Sequence, residues 1–320
     1  MTGNRSVTLA VASIAILSLV AACGAGSGSL GSVPSVAPSA EPSVAQGSPD
    51  LTPEPSSQPS TVPSGSAGPS AAPTGTAVVR AYFYLGGEPG SAGLLAVLRE
   101  VPATKAVATA AMNALLAGPT ASESGDREIT TAIPTGSQLL GLTIDGDVAT
   151  VDLSGEFESG GGSASVLTRL GQVVYTLTQF PTVRSVLFHV DGKPVTVFGG
   201  EGVILDKPVD RADYLDLLPA IWVDRPAWNA AIGNPAKVTG SANVFEATFR
   251  VAVLDGAGKV LADAQVMATC GTGCRGTFST TVAYTISKAQ YGTLRVYEPS
   301  AKDGTPVNVR DYRVWLTPKG

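Results

Sequence analysis

The 320-residue chain contains one histidine, His189. Imidazole-based chemistry therefore has a single possible carrier, and a Ser-His-Asp arrangement would have to recruit it. No Gly-x-Ser-x-Gly elbow surrounds any serine, so no nucleophile is marked as strained and exposed. Cysteine is also scarce, with only Cys23, Cys270 and Cys274, and no second cysteine pair or histidine stands near the last two to complete a metal site. Basic residues are the minority, and with no basic stripe a nucleic-acid partner is not expected. No apolar run reaches the roughly 20 residues of a permanent membrane span. No catalytic residue, no metal and no cofactor is expected.

The N-terminus supplies a positive statement. Arg5 precedes an apolar run from Val7 to Val20, followed by Ala21, Ala22 and Cys23. A short apolar run with these flanks has the layout of a secretory signal, and Val20-Ala21-Ala22-Cys23 resembles a bacterial lipobox. Residues 1–22 are expected to be a signal peptide and Cys23 the lipid-bearing first residue of the mature chain. A conventional signal peptide and an uncleaved anchor are the alternatives. The expected location is extracytoplasmic, tethered to the cell membrane through Cys23.

Losing residues 1–22 takes Arg5 from the 21 basic residues, leaving 20 Lys+Arg against 26 Asp+Glu, a balance of −6. Lipidating Cys23 leaves Cys270 and Cys274 as a pair around Gly271-Thr272-Gly273, a loop tight enough to bring two Cβ atoms within bonding distance. An oxidising compartment favours a disulfide there, with free thiols as the other reading.

Residues 23–76 consist almost wholly of Ser, Pro, Gly, Ala, Thr and Val. So little apolar surface cannot offset the entropy of ordering, and a disordered stalk is expected. Its ends would average about 40 Å apart as a coil and roughly 160 Å as extended polyproline. Its Ser/Thr/Pro content permits O-glycosylation.

From residue 77 the pattern changes. Val78–Leu85 and Leu94–Val101 read as strands. Thr104 is the expected cap of a helix running to about Ala117, stopped by Gly118-Pro119, and Glu123–Arg127 the tip of a loop. Asp145-Gly146-Asp147 joins two alternating runs, 138–144 and 148–153, as a hairpin. A second helix covers about Ser163–Thr178, and a hairpin turns at Asp191-Gly192. The order ββα-ββα-ββ gives an α+β domain over 77–205, with two helices on one face of a mostly antiparallel sheet. Residues 206–219 read as a linker. Over 220–320, seven short strands separated by turn signals predict an all-β sandwich, with Phe245, Ala247, Phe249, Val251 and Val253 on one buried face.

Several residues in Tyr82–Gly192 carry a resemblance. Tyr82-Phe83-Tyr84-Leu85, Arg99-Glu100-Val101-Pro102, Leu115–Thr120, Ile133-Pro134, Ala149–Ser154 and Val174–Phe180 together resemble the GerMN domain of sporulation and spore germination proteins. Ile221–Pro226, Asn234–Gly240, Ala242–Glu246 and Gly276-Thr277-Phe278 are similar to the immunoglobulin-like domain of bacterial spore germination. The resemblance implies a non-enzymatic envelope architecture and permits self-association.

Four weaker candidates remain. His189 shares a strand face with Ser185 and Leu187 and reads as half-exposed. Asp152 and Glu156 are a possible carboxylate pair, although Asp152 at a strand end better suits capping a turn. The Gly160-Gly161-Gly162 run reads as a flexible junction. Trp222, Trp228 and Trp315 read as sandwich anchors, with Trp228, in an apparent loop after Pro226, also a candidate ligand contact that could stack a sugar. The preferred function is a membrane-anchored binding or assembly module whose partners are an envelope protein, a second copy or cell-wall glycan. The alternative is an enzyme or glycan-binding protein acting on peptidoglycan.

Overall fold

The structure is a computed structural model, and it describes residues 75–198, 200 and 202–319. The expected signal peptide, Cys23 and nearly all of the expected stalk lie outside those residues. Among the described residues no helix is long and apolar enough to cross a membrane.

The first domain opens with β1 (Thr76–Leu85) and β2 (Gly93–Pro102), paired antiparallel along their full length. Helix α1 (Val107–Leu116) lays Ala108, Ala111, Met112 and Leu115 into the core. Its cap is Ala106, two residues later than the expected Thr104; the Thr104 hydroxyl instead accepts from the Ala106 amide in the preceding turn. The expected loop tip contains a short helix, α2 (Ala121–Arg127), closed by a Thr120/Glu123 capping box. Next come β3 (Ile129–Thr130), which pairs with the end of β1, then β4 (Leu139–Asp145) and β5 (Val148–Leu153), the expected hairpin.

Helix α3 (Ser163–Leu177) buries Val166, Leu170, Val173, Val174 and Leu177, the stripe its period predicts. It then delivers the chain to β6 (Ser185–Val190), which lies parallel to β5. A connection of this length across a helix permits a parallel crossover, so the strands form two sheets, β2-β1-β3 and β4-β5-β6-β7, where one was expected. Short strands β7 (Lys193–Pro194), β8 (Val197–Phe198) and β9 (Val203–Ile204) complete the domain.

The sequence pattern hides how α3 joins the first sheet. Gln172 and Thr176 of α3, with Gln179 just past its C-terminus, hydrogen-bond the backbone of β1. The Tyr82 amide donates to Thr176 Oγ1 at 3.1 Å and the Arg80 amide to Gln179 Oε1 at 2.9 Å. In return Gln172 Nε2 donates to the Tyr82 carbonyl and Gln179 Nε2 to the Arg80 carbonyl. A helix thus takes the place of a neighbouring strand, which satisfies backbone groups that burial would otherwise penalise.

Residues 206–219 are part of this body. Val209 exchanges two backbone hydrogen bonds with Val186, and a 3-10 turn over Arg211–Leu217 lies against α3. A side chain at Gly171 of α3 would collide with Leu217, so that glycine makes the close approach possible.

The sandwich pairs β10 (Ile221–Arg225), β12 and β15 against β11, β17, β16, β13 and β14. Their bounds are β11 (Ala231–Ile232), β12 (Ala236–Ala242), β13 (Thr248–Leu254), β14 (Val260–Met267), β15 (Gly276–Val282), β16 (Gln290–Pro299) and β17 (Pro306–Leu316). Phe249 and Phe278 meet edge to face at 4.8 Å between the sheets. Phe249, Val251 and Val253 are buried as their alternation predicts. Phe245 is the exception, 54% exposed, because Glu246 and Ala247 adopt left-handed backbone and break the strand before Thr248.

Residues 206–219 read as a linker between two domains, yet one hydrophobic core runs through both. The Trp228 segment pairs with the β2 edge: the Trp228 amide donates to the Ala96 carbonyl at 2.8 Å and the Leu98 amide to the Trp228 carbonyl at 3.3 Å. Covering an edge strand in this way removes a template for stray pairing.

Candidate functional site at the domain junction

The catalytic candidates come first. Asp152 and His189 are register partners on β5 and β6, but among the described residues no hydrogen bond joins their side chains. Asp152 Oδ1 accepts from the Gly192 amide at 3.0 Å, while Asp191 Oδ1 accepts from the Gly155 amide at 3.1 Å. Asp152 therefore caps the β6–β7 turn, in keeping with its turn-capping reading. Glu156 lies in a 3-10 turn, where hydrogen bonds from the Ser154 hydroxyl and from its own amide hold its carboxyl below the usual range. The described residues contain no group of three His, Cys, Asp or Glu placed to hold a metal.

The glycine run before α3 wraps a cation. Arg169 is 1% exposed, and its guanidinium donates to the carbonyls of Phe157, Ser159 and Gly160 at 2.7–3.0 Å. The run read as a flexible junction is thus folded around Arg169.

Cys270 and Cys274 form a disulfide, with Cα atoms 5.8 Å apart. Trp222 packs edge-on against Tyr175 of α3 at 5.5 Å. Trp228 is 3% exposed, which leaves little of its ring for stacking, although it contributes to the walls of the cavities described below. Its backbone pairing with β2 draws the side chain down between the domains. The exposed ring nearby is Tyr291, 46% exposed and edge-on to Trp315 at 4.8 Å.

Two buried polar clusters lock the junction. In the first, Asp224 of β10 accepts from Tyr82 Oη and Arg80 Nη1, each at 3.0 Å, and Arg211 Nη1 stands 3.8 Å away. The Arg211 guanidinium lies over the Tyr175 and Tyr82 rings at 4.7 and 5.6 Å. Burial pushes the Tyr82 hydroxyl up to about 12; Asp224 reinforces the shift and the two arginines oppose it. Burial raises Tyr175 to about 12 as well. In the second cluster Arg310, 2% exposed, donates across the boundary to the carbonyls of Ser91, Gly93 and Leu94 at 2.6–3.1 Å.

Around these locks lie three solvent-open cavities of about 710, 400 and 520 Å³, all lined by Trp228; the first and third have walls from both domains, and the 400 Å³ one is lined by sandwich residues alone. Glu88, Glu128 and Asn308 line the largest, Asp255, Tyr291 and Arg313 the second, and Thr120, Ser122, Asn229 and Arg313 the third. Beside the third, Arg99 grips Glu123 through two hydrogen bonds of 2.9 and 2.6 Å. Burial alone would raise the Glu123 carboxyl, but bonds from Arg99 and the Thr120 amide hold it below its ordinary value. Ligands favour such seams between domains.

Comparison with known proteins fits this division. A family described as "Sporulation and spore germination" matches residues 80–196, and one described as "Immunoglobulin-like domain of bacterial spore germination" matches residues 220–305. The chain is a GerMN domain joined to a spore-germination immunoglobulin-like domain. No curated protein matches it. Among solved structures, a candidate lipoprotein from Clostridium perfringens is similar at 22% identity, covering 45% of this chain and 93% of its own, with a TM-score of 0.32. The first GerMN domain of the sporulation protein GerM from Bacillus subtilis shares 20% identity over 42% of this chain and 99% of its own, with a TM-score of 0.35. The tandem GerMN domains of that protein share 14% identity over 65% of this chain and 62% of theirs, with a TM-score of 0.37. Likenesses this remote carry no argument about function. The described body of this GerMN protein is α+β followed by an immunoglobulin-like sandwich, and its junction residues Arg80, Asp224, Arg310 and Arg313 were not among those singled out from sequence.

Proposed function

We propose that this GerMN protein is a non-enzymatic envelope module, tethered to the outer side of the cytoplasmic membrane through a lipid on Cys23, which presents its two fused domains to a wall or protein partner. The observation that carries the binding part is the junction: two domains are held rigid by buried polar locks around a polar groove. Rigid walls lower the entropy lost when a partner is ordered against them. The tether rests on Arg5, the Val7–Val20 run and the Ala21-Ala22-Cys23 sequence, and residues 23–76 would set the height of the body above the membrane. Both matched family descriptions name spore germination, and the first also names sporulation, which is the process we assign.

Cell fractionation tests the tether. The wild-type chain is expected in the membrane fraction and Cys23→Ala in the soluble one; retention of the variant in the membrane would overturn the anchor. Alanine at His189, Asp152 and Glu156 tests the absence of chemistry. If one of these changes abolished turnover of a wall substrate while the fold survived, the protein would be an enzyme.

A further inference from the structure

Arg313 differs from Arg310, which among the described residues also has no carboxylate partner but is buried with three carbonyls to accept from it. Arg313 projects from the outer face of β17, and its guanidinium lies 3.7 Å from the centroid of the Tyr291 ring. Its Nη1 donates to Asn229 Oδ1 at 2.8 Å, and the Asn229 amide donates back to the Arg313 carbonyl at 2.8 Å. Asn229 holds left-handed backbone, φ 67°, to make both contacts. Stacking and one hydrogen bond therefore fix the plane of the guanidinium while using one of its five donors.

What Arg313 lacks is a counter-ion. Nearby Arg295 is paired with Asp311 through two bonds of 2.7 Å, and Arg99 with Glu123. Among the described residues no carboxylate lies within ion-pair distance of Arg313, which lines both the 400 and the 520 Å³ cavities. The Asp255 carboxylate on the 400 Å³ side already accepts from the Ala257 and Lys259 amides. On the 520 Å³ side Arg313 is accompanied by Thr120, Ser122 and Asn229, which can bond hydroxyl or oxyanion groups, and by the Arg99–Glu123 pair, whose carboxylate is already held by Arg99. A planar, immobilised and uncompensated guanidinium suits two-point binding of a carboxylate. Beside it Tyr291, 46% exposed and lining the 400 Å³ cavity, has one ring face covered by Arg313 and leaves its remaining apolar surface and its hydroxyl to meet a sugar ring.

We propose that the groove around Arg313 binds a carboxylate-bearing saccharide, with Arg313 holding the carboxylate and Tyr291 packing the ring. The proposal rests on the binding-module reading and gives it a ligand class. The sugar contact raised for Trp228 is thereby assigned to the exposed Tyr291 ring.

The test uses the detergent-solubilised full-length protein, titrated calorimetrically with N-acetylglucosaminyl-N-acetylmuramic acid and with neutral N,N′-diacetylchitobiose. The acidic disaccharide is expected to bind at least tenfold more tightly than the neutral one. Arg313→Gln should erase that preference and Arg313→Lys should cut it several-fold, with Tyr291→Ala weakening both ligands. Because Arg313 lies on an outer sheet face, the variants are expected to keep the wild-type thermal midpoint; if Arg313→Gln does not, Arg313→Lys carries the comparison. Binding of neither saccharide, equal binding of both, or an undiminished preference in the folded variants would overturn the proposal. None of these outcomes touches the membrane partition of Cys23→Ala, so the anchored-module reading stands or falls separately.

Discussion

The Tyr82 hydroxyl donates to Asp224 Oδ1 at 3.0 Å from the other domain, and Arg80 donates to the same oxygen. One carboxylate thus serves a buried phenol and two guanidinium groups. Removing it leaves charges buried without compensation, whereas removing the phenol alone leaves the ion pair in place. Asp224→Ala is therefore expected to cost about 3 kcal/mol and Tyr82→Phe about 1 kcal/mol. Denaturant unfolding of the two variants checks the order; equal losses would show that Asp224 does not organise the cluster.

The same cluster predicts a weakness at high pH. Tyrosine in an unfolded chain titrates near 10, while burial holds Tyr82 and Tyr175 at about 12. From about pH 10 upward the unfolded chain releases these protons first, so stability falls with rising pH. The contribution is whole below pH 10 and is lost on approaching 12. An alkaline unfolding transition should coincide with late phenolate absorbance, and Tyr82→Phe should make stability fall less steeply across that window. A titration with every tyrosine ionising near pH 10 in the folded protein would contradict this account.

Arg310 makes the second lock by a different route, without a carboxylate. Its three bonds to the carbonyls of Ser91, Gly93 and Leu94 are charge-assisted, and each bond of that kind contributes roughly 1.5–3 kcal/mol. Arg310→Met keeps most of the side-chain length and deletes all three. The variant is expected to lose at least about 3 kcal/mol and to separate one cooperative thermal transition into two, one for each domain. Calorimetry decides; a single transition at the wild-type midpoint would show that Arg310 does not couple the domains.

Much of the order of elements is legible in the sequence because local period determines it. The Asp145-Gly146-Asp147 hairpin and the apolar stripe of α3 follow from spacing alone. The α2 helix hides because its seven residues, Ala121–Arg127, include Gly125 and are mostly polar. The usable signal is Thr120 three residues before Glu123, a capping box. The junction is harder to see for a physical reason. Gln172, Thr176 and Gln179 have the spacing of a solvent-facing stripe, and nothing local says that they replace a strand. Arg169 and Arg310 are of a residue type almost never fully buried, so their burial depends on carbonyls far away in sequence. Trp228 stands out by type, but its surroundings are supplied by β2, more than a hundred residues earlier.

The disulfide supplies the last prediction. Cys270–Cys274 closes a small loop whose Thr272 amide donates to the Val244 carbonyl and whose Gly273 amide donates to Asn243 Oδ1 at 3.1 Å. Thr272 Oγ1 in turn accepts from the Glu246 amide at 2.9 Å, so the loop supports the turn that displays Phe245. Closing so short a loop removes little chain entropy from the unfolded state, which limits the gain to about 2 kcal/mol. Replacing both cysteines by serine should cost about that much globally. The larger effect should be local, with hydrogen exchange accelerated at the amides of Glu246, Thr272 and Gly273 while the sandwich strands keep their protection. Loss of protection throughout β13 and β15 would mean instead that the bridge holds the sheet itself.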